Sequence, residues 1–570
     1  MTAIGIDFGT TNSVVAHYSP TGIEVLDIDE APIKFAPYGF DCVLPTVMAN
    51  DDAGRVTFGW AAKTTPRGRF DAVKRMFATQ LDTAVDSEGN ALAVEEVATM
   101  LFAELRQRAI SRGGLSGVDA AVVTVPANSK GRARHRTKLC AGMAGLEVLA
   151  LINEPTAAAM AYAQKHPEAR QLLVFDWGGG TLDVTVLQSV DGVFIEQASA
   201  GLPRSGGIDF DSRVEKIVRE SVPGLENLSV EDRHFLRLEA ELAKIRLSTA
   251  EATTIEIPGG REFRLTKSAF EREIRPLIEE SRIPIERCLK DLGLGPGAID
   301  AVVMVGGTCK IPAVREFVRN VLGVEVSSDF NPMTIVGEGA AVAAAILSGE
   351  LEDSDFFVSI EHALGTFTYD PASGSQNFST IIPRGHKLPA KLMDGFTPIV
   401  RETEGINVQV VEGDPDSPTP DYTVLKEWYV RLPETYAEDS NRSVNIQYEY
   451  DVDGILHVTV TDMDTSALLL EDDISYGIAT DKRQLKQMSD RAKAAVESGQ
   501  VSDSAQVKLD DPEATRLISQ ARVKVIPFLD DAEAATVEQL VVALEEADDA
   551  ARPAAREALK KGLSPYSYLF

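Results

Sequence analysis

Cysteine is scarce and scattered: the four in this 570-residue chain stand at 42, 140, 288 and 309, none at a spacing that pairs it with another. That pattern argues against both a zinc site and a disulfide framework, and a reducing compartment is expected. No run approaches the ~18 consecutive apolar residues that a membrane helix needs. At the N-terminus no basic segment leads into an apolar one. Neither membrane insertion nor export is signalled, so the cytoplasm is the expected location. Positive charge is in deficit, with 56 Lys and Arg against 87 Asp and Glu and a net charge of −31. Such a chain repels phosphate backbones and anionic membranes at long range, so neither nucleic acid nor a membrane is an expected partner. His386 and His457 have no partners at ligand spacing, and no metal role is expected of them.

What is present is the composition of an ordinary globular protein, 44% apolar and 25% charged. At ~100 to 200 residues per domain this length predicts two or three cores. The first informative segment runs from Ile4 to Val15: an apolar strand ending in Asp7, a turn of Gly9, Thr10, Thr11 and Asn12, and a second apolar strand. It predicts a β-hairpin. Small turn residues let successive backbone N–H groups converge on phosphate oxygens while hydroxyls add donors, and Asp7 would face a metal. Taken alone, the segment also reads as an ordinary hairpin. A second copy runs from Leu172 to Leu187, with Asp176, then Gly178, Gly179, Gly180 and Thr181, then Asp183 before another apolar run. Three consecutive glycines weaken a strand through backbone entropy, which disfavours a purely structural role. Neither copy matches a P-loop or a dinucleotide fingerprint, in which a helix N-terminus holds the phosphate. Two such hairpins imply an internal duplication with phosphate held between the copies.

These paired motifs resemble the actin, hexokinase and heat-shock ATPase superfamily, and their wording resembles its seventy-kilodalton heat-shock chaperone branch. The resemblance implies an α/β actin-like ATPase domain with duplicated RNase H-like lobes, followed by an antiparallel β-sandwich and a short α-helical C-terminal region. It covers roughly residues 3 to 345 and 355 to 465. The segment Ile152 to Ala159 resembles the family's first connecting motif, making Glu154 the residue that positions attacking water or metal. Phe70 to Arg75 resembles the segment carrying the catalytic lysine, here Lys74, which would hold charge on the transferred phosphoryl group. Asp176 and Thr181 complete the implied catalytic set. Asp7, Asp176 and Asp183 would anchor Mg²⁺ through its waters. Glu241, Lys244 and Ser248, at i, i+3 and i+7, resemble the helix that clamps base and ribose. Gly306, Gly307 and Lys310 resemble the adenosine turn, with Thr308, Cys309 and Lys310 replacing the usual Ser-Thr-Arg and giving up the planar stacking surface of Arg. Asn331 to Ala341 resembles the second connecting motif, in which small residues let two crossing helices approach; Met333 replaces its usual acid. The cofactors implied are ATP and ADP with Mg²⁺, and K⁺ is a further cation the resemblance admits.

The domain boundaries expected are 1–349 for the ATPase, 350–358 for an acidic linker holding Phe356 and Phe357, 359–472 for the sandwich and 473–570 for a helical lid-like region. Alternation at Val444, Ile446 and Tyr448, and at Leu456, Val458 and Val460, predicts half-buried antiparallel strands. By resemblance Ile406 and Phe367 would line a peptide pocket, while Arg134, Phe356 and Phe357 would couple the domains. Helices are predicted at 482–497, 513–525, 532–546 and 553–561, the last opened by Pro553. The implied function is an ATP-dependent chaperone that binds and releases extended apolar peptide, coupled to slow hydrolysis. Its implied partners are unfolded or extended polypeptide clients, a J-domain co-chaperone and a nucleotide exchange factor. An actin-like scaffold or assembly ATPase with a protein-docking β-domain, and a small-molecule kinase, remain open at this point.

Overall fold

The computed structural model describes residues 1–51, 54–79, 81–86, 88–127, 129–190, 193–202, 205–351, 360, 362–370, 374–384, 386–387, 389–400, 403–413, 415, 422–433, 440–450, 456–474, 482–502, 505, 507, 509–529, 531–548 and 550–569. The chain divides into two units. Met1–Pro126, Leu139–Ser354 and Lys486–Phe570 make the first, and Ala127–Lys138 with Asp355–Leu485 make the second.

In the first unit both expected hairpins form. Strand Ala3–Phe8 pairs with Asn12–Ser19, placing Asp7 opposite Val14. Strand Gln171–Trp177 pairs with Leu182–Val190, placing Asp176 opposite Asp183. Each hairpin opens a sheet of the same plan. Its first strand takes a parallel neighbour, Ala120–Val125 or Ala301–Val305, and its second an antiparallel one, Gly22–Val25 or Val193–Leu202. Duplicated α/β lobes are therefore what the chain builds. Leu172, Leu173, Val174 and Phe175 are all fully buried, because a strand with a parallel neighbour and helices on its faces meets no water on either side.

Small residues decide how closely the connecting helices approach. A Cβ added at Gly339, in helix Ile335–Ser348, would lie 1.7 Å from the Ala157 carbonyl oxygen in helix Glu154–Ala163. One added at Gly5 would lie 2.1 Å from the backbone N of Ala341. Only hydrogen fits at either crossing.

Residues 486–570 also pack within the first unit. Arg491, in helix Lys482–Ser498, donates two 2.8 Å bonds to the carboxylate of the buried Glu96. Helices Pro512–Ser519, Asp531–Glu545 and Arg552–Leu563 form at the predicted places. Together with the π-helical turn Gln520–Val525 they gather round Leu517, Val525, Val541 and Leu559.

The second unit is an antiparallel sandwich. Strands Ser375–Ile382, Ala363–Asp370, Gly405–Gly413 and Thr423–Arg431 form one sheet in that order. The other runs Ala390–Phe396, Val444–Tyr450, Leu456–Asp462 and Leu468–Ile474. The period-two reading holds: Val444, Ile446, Tyr448, Leu456, Val458 and Val460 are buried, while His457, Thr459 and Thr461 take the opposite, wetter face. Tyr448 Oη donates to the Gly365 carbonyl at 2.9 Å, tying one sheet to the other. Asp453-Gly454, a pair whose sequence predicts a turn entering strand Leu456–Asp462, lies outside the described residues.

Candidate active site

The two hairpin loops meet. A Cβ built on Gly179 would fall 2.6 Å from Thr11 Cγ2, so the second loop touches the first only because it is bare there. Thr10, Thr11, Asn12, Gly178 and Gly179 line one wall of a cavity of about 530 Å³. Gly207 N–H and Ile208 N–H donate to the carbonyls of Gly178 and Gly179 at 3.0 and 2.9 Å, fixing the second loop against the start of helix Gly207–Ser221. Gly9 is held in the first turn, where an added Cβ would meet the Asn12 carbonyl at 2.2 Å.

Beside the loops lies a buried charge cluster that does not itself line the cavity. Lys74 Nζ donates to Glu154 Oε1 at 2.7 Å, and the lysine side chain is only 8% exposed. It is no surface lysine. Glu154 begins its helix, where Pro155 supplies a preset φ and a missing N–H costs nothing. Burial pushes Asp7 up to about 7 and the Glu154 charge adds to the rise, while Lys74 and a 3.1 Å bond from Thr124 oppose it. Asp183 is raised to about 6, chiefly by burial and then by Glu154, against a 3.1 Å bond from Thr181 Oγ1. Asp176 is raised well above the carboxylate range by burial, with Glu154, Asp183 and Asp7 adding like charge. Four acids and one lysine gathered away from water favour a cation among them. Among the described residues no group of three or more His, Cys, Asp and Glu side chains converges closely enough to hold a metal ion.

More of the cavity wall is built from helix Val230–Leu247 and the turn after strand Ala301–Val305, which meet the second loop where Lys244 Nζ donates to the Gly207 carbonyl and Thr308 Oγ1 to the Gly178 carbonyl, each at 3.1 Å. Glu241, Lys244 and Ser248 all line it, as do Gly307, Lys310 and Met333. Lys63 Nζ holds Glu241 at 2.7 Å, and Lys244 Nζ lies 2.8 Å from Asp211. Burial would raise Glu241, yet Lys63 and Lys244 bring it below the usual range. Asp211 goes the other way, pushed up to about 7 by burial that Lys244 only partly offsets. Gly306, expected in the adenosine turn, is not among the residues that line the cavity; it has a φ of 85°, and an added Cβ would lie only 2.3 Å from the Trp177 carbonyl. Burial lowers Lys310.

Sequence reasoning missed several lining residues. Pro37, Tyr38 and Phe40 give the cavity an apolar face, and Arg69, Asp71, Arg75 and Lys524 give it charge. None sits in a motif beyond the lysine segment, and Lys524 comes from the far end of the chain.

In the second unit Phe367 joins an aromatic trio, with ring centroids 5.5 Å from Tyr422 and 6.3 Å from Phe378. Ile406 is half-buried opposite Val430. Arg134 lies in helix Gly131–Met143, whose first N–H donates to both oxygens of the buried Glu412 at 3.2 Å. Burial raises that carboxyl, and Lys130 and Arg134 partly offset the rise. Phe356 and Phe357 lie outside the described residues.

Comparison with known proteins agrees in kind. A family model described as Hsp70 protein matches residues 70–567. Chaperone protein DnaK of Thermotoga neapolitana is 33% identical over 481 residues, covering 81% of this chain and 78% of that one. Chaperone protein DnaK of Thermus thermophilus is 32% identical over 502 residues, covering 81% and 79%. That of Trichormus variabilis is 32% identical over 500 residues, covering 81% and 70%.

Proposed function

The chain belongs to the Hsp70 family and is an ATP-dependent chaperone with ATPase activity, and from that premise we propose which of its residues carry the cycle. The observation that supports the reading best is the contact between the two Gly/Thr loops on the wall of a cavity beside the Lys74–Glu154 pair. ATP enters with its phosphates between the loops, where Thr10, Thr11 and Thr181 offer hydroxyls and Gly178 to Gly180 offer bare backbone. Its adenosine lies toward Glu241, Lys244, Ser248, Gly306, Gly307 and Lys310. Glu154 orients the attacking water, and Lys74 holds the charge that develops on the phosphoryl oxygens. Asp7, Asp176 and Asp183 hold Mg²⁺ through its waters. When bound, that ion supplies positive charge at the phosphates. A place for K⁺ beside the same acids belongs to this reading.

Peptide binding is assigned to the sandwich, at Phe367 and Ile406, because half-buried apolar groups on a sheet can still accept an extended chain. The linker at 350–358, with Phe356, Phe357 and Arg134, passes the state of the ATPase to the sandwich. Unfolded polypeptide is the client; a J-domain protein and an exchange factor are the proposed helpers. Four free thiols support a reducing compartment and hence the cytoplasm. No helix among the described residues is long and apolar enough to cross a membrane. Family membership does not favour the assembly-ATPase alternative.

Fluorescence anisotropy of a labelled apolar heptapeptide tests the coupling. Peptide held with ADP and released on adding ATP is expected; a signal indifferent to nucleotide would remove the coupling. Calorimetry with ATP and magnesium tests the cleft itself.

A further inference from the structure

The C-terminal helices reach the cavity. Lys524, on the π-helical turn Gln520–Val525, lines it together with Thr10, Gly178 and Lys244. Its Nζ sits 2.5 Å from Asp71 Oδ1, and each side chain of the pair is about three-quarters buried. One residue earlier, the Val523 carbonyl accepts from Arg75 Nη1 at 3.3 Å. The same guanidinium lies against the glycine loop, 1.8 Å from where a Cβ on Gly180 would be. On the other lobe Ile208, whose N–H is bonded to Gly179, packs against the helical core of Leu517, Val525 and Leu559.

One bundle therefore grips a first-lobe segment and the foot of the second-lobe loop at once. A ligand held between two lobes leaves when they separate, and a body fastened to both cannot follow both. Opening has to break one attachment. The Ile208 contact is apolar and continuous with the bundle core, whereas residues 523 and 524 meet the first lobe through polar contacts alone, the Arg75–Val523 hydrogen bond and the Lys524–Asp71 ion pair, on a wide turn of a kind frequent at functional sites. Each side chain of the pair keeps about a quarter of its surface in water, so both charges can be rehydrated when the pair parts, and the contact can break and re-form within a catalytic cycle.

We propose that the C-terminal bundle is a gate, built into the chain itself, on the phosphate end of the nucleotide cleft, with Lys524 as its cleft-facing latch. The proposal rests on the cavity being the nucleotide site. It makes product release, rather than chemistry, the step that these helices control.

The test uses the full chain. Phosphate release after a single turnover is followed with a fluorescent phosphate reporter, and ADP departure with a fluorescent analogue. Lys524→Glu, which sets like charge against Asp71, is expected to release both at least about fivefold faster, with faster amide exchange over residues 520–528. Lys524→Met, which keeps the apolar stem and removes the charge, is expected to fall between. Unchanged release rates in variants that bind ATP like the parent overturn the gate and leave the nucleotide site standing, as does a lowered melting temperature with no change in release. No heat from ATP on the parent chain overturns the cleft reading and the gate with it.

Discussion

Lys74 and Glu154 stand eighty positions apart in the chain and meet at 2.7 Å, the lysine delivered by a one-turn helix and the glutamate by the first residue of a longer one. Around them Asp7, Asp176 and Asp183 are all raised by burial and by the glutamate. The lysine is thus the cation that lets four acids share one dry space.

Removing either partner is expected to stop turnover before it stops binding. Lys74→Ala should lower single-turnover hydrolysis by about 10²- to 10³-fold, the range for loss of one preorganised charge donor. Glu154→Gln should cost about 10²-fold or more by misplacing water, with ATP affinity within about tenfold of the parent in both. The double variant should be little worse than the worse single one, since the two act as a unit. Equal losses in affinity and rate would show that the pair only shapes the site.

Nucleotide-free protein should lose stability as pH rises from acid toward neutral. Burial pushes Asp211 up to about 7 and Asp209 up to about 6, whereas the value in an unfolded chain is about 3.9. Between those values the folded chain holds protons that the unfolded chain lacks. Their stabilisation is complete below about pH 4 and lost as pH climbs through about 6 to 7. Asp7 and Asp183 add in the same sense. His234 opposes them: burial and neighbouring arginines lower it to about 4, so its penalty fades as pH rises past its unfolded value near about 6.5. Scanning calorimetry across this range should show a falling melting temperature, with a shallower slope in Asp211→Asn.

Adding a methyl at the helix crossing should be costly. Gly339→Ala places its Cβ on the Ala157 carbonyl, and overpacking of this kind costs about 1 to 3 kcal/mol or more. Denaturant unfolding should show a lower midpoint with an unchanged slope. A neutral result would mean that the two helices slide apart at no cost.

The peptide assignment is checked by Phe367→Ala and Ile406→Asp. Each should weaken heptapeptide binding by about tenfold, the loss of one large apolar contact, while basal ATP hydrolysis stays within about twofold. Parent-like peptide affinity in both would move the pocket elsewhere in the sandwich.

Much of the fold was legible in advance because it is written locally. Asp7 and Asp176 end apolar runs, Gly and Thr follow, and an apolar strand returns; no distant residue is needed to read a hairpin from that order. Alternation along Val444–Tyr450 and Leu456–Asp462 likewise displays its buried face within one strand. The C-terminal helices were legible as helices, Pro553 and the polar stripes included. The face against which they pack was not, because an amphipathic pattern records that one side is buried and leaves open what covers it. Residues 486–570, expected as lid-like, lie with the nucleotide unit.

By itself, then, the sequence determined which segments become strands and helices, that the phosphate hairpin occurs twice, and which chemical groups each copy carries. Those are properties of neighbours along the chain, set by backbone sterics and period. Tertiary structure alone decided that Lys74 is buried among acids rather than wet, that Arg75 fills the space beside Gly180, and that Lys524 enters the cleft. Burial and charge pairing act through space, between residues whose separation along the chain carries no trace of their meeting.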